Sequence, residues 1–374
     1  MAQQHHEMTD TGTGAGPGTG GEALAGYLQD QATEFLRSLR LHRESSTDAQ
    51  GAEESLEAAR SLRRAARRIG ATLHTFRPLL DAEWASSLRP ELAWLSGTLG
   101  QEHAYATRLD RLLEALHRLS GPSPVPAPAP DPRPASAALA ASGAGGRTAR
   151  QNGWAQPPVP SAADSGTPRG LAVGAAKAAA LLERQLTLAR TRAHSTALQA
   201  FGSSRFHAVA DHVAVLASEV PLSGTAEDLG LLADQAEAAL AEAVAALPLG
   251  QAGHPYNAGA LSHGLAPTDT APDAQDAPWL KVRSLLRLYR YAQEVLLGHD
   301  RHGPRIADAS HALNVHREAA AAAAAAAHAA RTPRIAPATA YALGVLHADQ
   351  RHEVEAARFV FQRAWLREET RRTR

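Results

Sequence analysis

Two stretches of the chain place arginines at three- and four-residue intervals between apolar residues. The first holds Arg60, Arg63, Arg64 and Arg67, with His74 further along. On a helix turning about 100° per residue these fall within roughly one third of the circumference. Leu62, Ala66, Ile69, Leu73 and Phe76 cluster on the other side. The second holds Arg283, Arg287 and Arg290, continued one turn later by Glu294, among Val282, Leu285, Leu286, Tyr289 and Val295. A solvated helix face is broad and of mixed sign, whereas a narrow cationic line between apolar shoulders suits the wall of a groove between packed helices. The guanidinium fork donates paired hydrogen bonds to phosphate oxygens, so the chemistry implied is capture of an anion. For the first stripe Glu53, Glu54 and Glu57 offer another reading, a solvated face with short-range ion pairs. For the second, only Glu294 lies on the same line, and buried arginines without a counter-charge are costly.

Other chemistries lack their residues. The sequence has no cysteine, which excludes disulfides and thiolate metal sites. Its 18 histidines include His299-Asp300-x-His302, His347 and His352, but none shows the His-Glu-x-x-His spacing that puts two ligands on one helix face. No nucleophile elbow, paired acid constellation or nucleotide loop is present. The balance of 38 basic and 38 acidic residues argues against nonspecific coating of nucleic acid, so an anion site must be local. No cofactor is expected.

The elements that must carry these arginines read as helices throughout. Hydrophobic residues make up 44% and aromatics only 5%, an alanine- and leucine-packed core that favours helices. Residues 1–21, ending in a glycine-rich run, are expected to be disordered. Helical periodicity begins at Glu22, and a first bundle spans 22–119. Within it Phe76-Arg77-Pro78 marks a helix end, and Gly100 is read as a stop between helices 83–99 and 101–119. Residues 120–169, rich in Pro, Ala and Gly, read as a linker or surface insertion. Helices return over 170–367, interrupted by a loop at 249–277, and residues 368–374 form a basic tail. The run Ala319 to Ala327 has high helix propensity with little to pack against. The N-terminus is polar and no other apolar run approaches a membrane span, so a soluble cytoplasmic protein is the expectation. Both halves hold a basic helix and a Leu-Gly step, Leu99-Gly100 and Leu297-Gly298, which suggests internal duplication into two pseudo-symmetric bundles with a basic channel between them.

The segments RRIGATLHTFRPLLDAEWASSLRPELAWLSGTLG (67–100), RSLLRLYRYAQEVLLG (283–298) and TAYALGVLHADQRHEVEAARFVFQRAWLR (339–367) resemble the CHAD family, the conserved histidine α-helical domain. The resemblance implies two four-helix bundles around a basic channel that binds inorganic polyphosphate, without a catalytic role. It assigns Arg63, Arg67, Arg68, Arg283, Arg287 and Arg290 to that channel. The chain departs from the pattern in places. The namesake histidine is replaced by Arg60, the matching position of the second basic helix is Leu280, and the family's Arg-Asp pair after the first Leu-Gly step is His103-Ala104.

The expectation is therefore a non-catalytic module that binds polyphosphate or a similar polyanion through Arg60, Arg63, Arg64, Arg67, Arg68, Arg283, Arg287 and Arg290. No membrane partner and no specific nucleic acid are expected. The alternative is a structural or protein-interaction scaffold that kept the fold and lost the ligand.

Overall fold

A computed structural model of the 374-residue chain describes residues 17–45, 51–120, 167–225, 227–253, 271–298 and 303–372. Its helices are α1 (Pro17–Ser45), α2 (Ala52–Thr75), α3 (Ala82–Ser120), α4 (Thr167–Phe201), α5 (Ser204–Ser218), α6 (Leu229–Ala245), α7 (Leu249–Ala252), α8 (Ala271–Leu297), α9 (Pro304–Ala330) and α10 (Pro337–Arg372). A 3-10 turn, Arg77–Leu79, follows α2. Among the described residues the extended backbone amounts to one antiparallel bridge, Leu80 with Leu222, which ties that turn to the α5–α6 connection. The chain is all-α, as its periodicity implied.

The helices pack as bundles around three buried clusters. One joins α1, α2, the first half of α3, α5, the start of α6 and the end of α8 through Leu28, Phe35, Ile69, Leu73, Leu92, Phe206 and Val295. The apolar side of α2 read from the sequence supplies Leu62, Ala66, Ile69, Leu73 and Phe76 to it, each fully buried. A second cluster joins the end of α3, α4, the end of α9 and the start of α10. The third joins α6, the start of α8, the start of α9 and the end of α10 around Trp279, Leu286, Leu313 and Phe361.

Three readings change. Gly100 does not end a helix; α3 is continuous over 39 residues and carries the first cluster into the second. The alanine run does not lack a packing partner. Ala319, Ala322, Ala323, Ala326 and Ala329 are buried, and α9 lies along much of α10. Methyl side chains let two helix backbones approach closely while still excluding water. Helix boundaries also reach into segments read as irregular. α1 begins at Pro17, α7 and α8 extend into 249–277, and residues 121–166 and 254–270 lie outside the described residues. No described helix is long and apolar enough to cross a membrane.

Candidate anion-binding groove

The two basic helices are fixed against each other by one buried carboxylate. Glu294 of α8 is 3% exposed and accepts hydrogen bonds from Tyr27 Oη at 3.0 Å and Arg68 Nε at 2.8 Å. Arg290 Nε lies 3.8 Å from its other oxygen. Burial opposes the charge on Arg68, but the hydrogen-bonded Glu294 carboxylate raises its pKa above the ordinary arginine value. Burial and the same carboxylate push the Tyr27 phenol well upward. The guanidiniums of Arg68 and Arg290 flank the Tyr291 ring at 5.6 and 5.0 Å from its centroid. Both arginines thus hold the joint between α2 and α8, and their charge is largely matched there.

Beside this joint the charge is not matched. Burial, followed by the fields of Arg67, Arg317 and Arg287, pushes the pKa of Arg63 down to about 10. Burial, followed by Arg317, Arg287 and Arg67, pushes Arg283 to about 9. Arg287 is lowered by burial and then by Arg67, with Arg290 and Arg317 adding to it. Among the described residues no carboxylate lies within ion-pair distance of Arg63, Arg67, Arg283 or Arg287. Their anchors are neutral. Arg63 Nε donates to the Ser96 carbonyl at 3.0 Å, and Arg283 Nε donates to Asn314 Oδ1 at 2.9 Å. Gly100 permits the first contact, because a Cβ there would strike the Arg63 guanidinium. A guanidinium does not release its proton at neutral pH, so the cluster stays cationic and an incoming anion would relieve the repulsion.

Helix α3 forms the facing wall. Arg89, Ala93, Ser96, Gly100, His103, Thr107 and Arg111 recur every three or four residues and line two adjoining cavities. At 1.5 Å per residue this face is about 33 Å long from Arg89 to Arg111. The larger cavity, about 450 Å³, holds Arg67, His74, Arg89 and Arg287. Pro90 and Ser86 also line it, and proline at position 90 leaves the Ser86 carbonyl without its helical donor. The narrower cavity holds Arg63, His103, Arg108, Arg111, Arg317 and Glu318. There the Nε–H groups of Arg108 and Arg317 are buried and meet no acceptor among the described residues. Arg317 Nη2 lies 3.2 Å from Glu318, and Arg111 Nε donates to Gln350 at 2.6 Å.

The structure therefore brings together half of the arginines singled out in the sequence: Arg63, Arg67, Arg283 and Arg287. Arg68 and Arg290 sit at the edge of this group, engaged by Glu294. Arg60 and Arg64 turn toward Glu57, at 3.4 and 2.9 Å, on a partly exposed face, the pairing that α2 itself offered. Sequence reading missed Arg89, Arg108, Arg111 and Arg317. Arg89 and Arg111 belong to a period that continues through Gly100, with Arg108 beside it, so a helix broken at that glycine hides it. Arg317 precedes the alanine run and has no basic partner within a turn. His299, Asp300 and His302 lie outside the described residues, and His347 Nδ1 contacts the Ala323 carbonyl at 3.0 Å.

The CHAD domain model matches residues 30–299. Among solved structures, PptA from Streptomyces chartreusis is 57% identical and superposes with a TM-score of 0.71, covering 93% of this chain and 99% of its own. No curated protein matches. The match spans both basic helices and the full length of the α3 wall, and the chain belongs to the CHAD domain family.

Proposed function

We propose that this protein is a non-catalytic binding module for inorganic polyphosphate, held in the groove between α2, α3, α8 and α9. One observation carries the reading: Arg63, Arg67, Arg283 and Arg287 converge, partly desolvated, with no carboxylate paired to them among the described residues. A scaffold that had lost its ligand would be expected to neutralise such a cluster, because each unmatched, half-buried cation destabilises the fold. The elongated α3 wall favours a linear polyanion over a compact one. Arginine suits it, since each fork spans two oxygens of a phosphate. The described residues that line the cavities are cations, small residues, two leucines and two histidines, with Glu318 as the acid among them. That composition supports binding and offers no paired acids for hydrolysis.

The test is titration of the purified protein with long-chain polyphosphate at low and physiological salt. Saturable binding that weakens steeply with salt is expected, because each neutralised phosphate releases a counterion. Absence of binding at low salt would leave the scaffold reading in its place.

A further inference from the structure

Two histidines line the groove, His74 at the end of the first arginine stripe and His103 on the facing wall. His74, near the end of α2, lines the larger cavity with Arg67 of its own helix, Arg89 of α3 and Arg287 of α8. Arg77 of the following turn also faces it. His103, midway along α3, lines the narrower cavity with Arg63 of α2, Arg108 and Arg111 of α3, and Arg317 and Glu318 of α9. Arg60 of α2 reaches it as well. On its far side the neighbouring Glu102 is taken up by His194 and Arg190 of α4, at 3.0 and 3.7 Å. Among the described residues Glu318 is thus the acid that acts on His103, none acts on His74, and Arg317 already engages Glu318.

Resting on the anion-binding reading above, we infer that His74 and His103 make occupation of the groove proton-linked, so that a polyphosphate chain is bound together with protons taken up by these imidazoles. In the empty groove, burial first and then the surrounding guanidiniums disfavour an imidazolium at either position. A polyanion laid against those guanidiniums reverses the local potential and favours the imidazolium, which then adds an N–H donor to a phosphate oxygen. The sign follows. Each histidine has a higher pKa in the bound state than in the free state. Its contribution to binding is complete below the free-state value and is lost as pH rises through the bound-state value. The free-state value lies below that of an ordinary imidazole, so the gain is greatest on the acid side of neutrality and fades as pH rises. The arginines stay charged throughout and give a floor of binding that is independent of pH.

The experiment uses full-length protein and long-chain polyphosphate, whose interior groups are ionised at these pH values; only its ends titrate near pH 6. Calorimetry at pH 7 in buffers of different ionisation enthalpy counts the protons exchanged, and the same titrations at pH 6 and pH 8 give the affinity ratio. Wild type should take up protons and bind on the order of tenfold tighter at pH 6 than at pH 8. The double variant His74→Gln/His103→Gln should lose most of the uptake and keep about a twofold ratio. His207→Gln, exposed on α5, should behave as wild type. Binding with no proton uptake, or an unchanged pH response in the double variant, would overturn the linkage while leaving the anion site standing. No binding at either pH would remove both.

Discussion

Replacing Arg283 and Arg287 together by glutamine separates a binding groove from a merely basic surface. Both side chains are partly buried and lie among other arginines, with no paired carboxylate among the described residues. Glutamine keeps much of the stem and one amide donor while removing the charge. A hydrogen bond to a charged group contributes about 1.5–3 kcal/mol, so losing two in a partly dry groove should cost about 3–6 kcal/mol, or roughly a hundredfold to ten-thousandfold in affinity. The matched control is Arg60→Gln/Arg64→Gln, which removes the same charge from α2 where both arginines already pair with Glu57 in solvent. Exposed pairs of this kind contribute about 0–1 kcal/mol, so the control should lose less than about tenfold. Calorimetric titration with long-chain polyphosphate across a salt series would read both effects. The groove variant should also show a shallower slope of log affinity against log salt, by about 1.4 if each lost contact counts as on a single-stranded polyanion. Stability moves the opposite way to binding. Removing two cations from a self-repelling cluster should leave the melting temperature unchanged or raised, which rules out misfolding as the cause of lost affinity. Equal losses from the two pairs would refute the groove, since only screened, diffuse attraction treats them alike.

Three further outcomes are expected. Gly100→Ala places a methyl against the Arg63 guanidinium and should displace it from the Ser96 carbonyl; thermal melts should show no loss, since alanine gains about 1 kcal/mol over glycine in a helix, while polyphosphate affinity falls several-fold. Glu294→Ala strips Tyr27, Arg68 and Arg290 of their shared partner, and denaturant unfolding should register a loss of about 3–5 kcal/mol. Asp276, buried between Arg351 and Arg358 at 2.7 and 2.6 Å, is opposed by burial but held by hydrogen bonds from His316 and Arg351 at a pKa of about 2; its depressed value gives stability that is full above the ordinary carboxylate range and is lost as pH falls toward 2, so the gap in melting temperature between wild type and Asp276→Asn should narrow below about pH 4.

How much of this was legible beforehand depended on whether a residue's neighbours lay on its own helix. The apolar side of α2 was readable because Leu62, Ile69, Leu73 and Phe76 form a period within one element, and all are buried. The partnership of Arg60 and Arg64 with Glu57 was one of the two readings α2 offered, the other placing both arginines in the anion site. The sorting of the other arginines was not readable. Arg63, Arg67 and Arg68 share a turn of α2, yet Arg68 meets a carboxylate 226 positions away while Arg63 meets a backbone carbonyl on α3. Nothing in local spacing distinguishes them. The two Leu-Gly steps make the same point. Gly298 has φ +83° and its N–H donates to the Glu294 carbonyl, ending α8 with the left-handed geometry that glycine tolerates. Gly100, with the same preceding residue, lies within α3 and is small because an arginine from another helix crosses there.

That crossing bears on how the groove keeps its charge. A cluster of four cations tends to dissolve in one of two ways: the side chains swing into water, or an acid is recruited nearby. Arg63 is held from the first by the Ser96 carbonyl and the notch at Gly100, and Arg283 by Asn314. Glu294, the one acid on the second stripe, is turned away from the second course by its own partners, since Tyr27 and Arg68 occupy the same oxygen. Neutral anchors and a sequestered carboxylate therefore keep the guanidiniums extended and unmatched. An anion entering the proposed site would find donors already ordered, and its binding would release the repulsion stored among them.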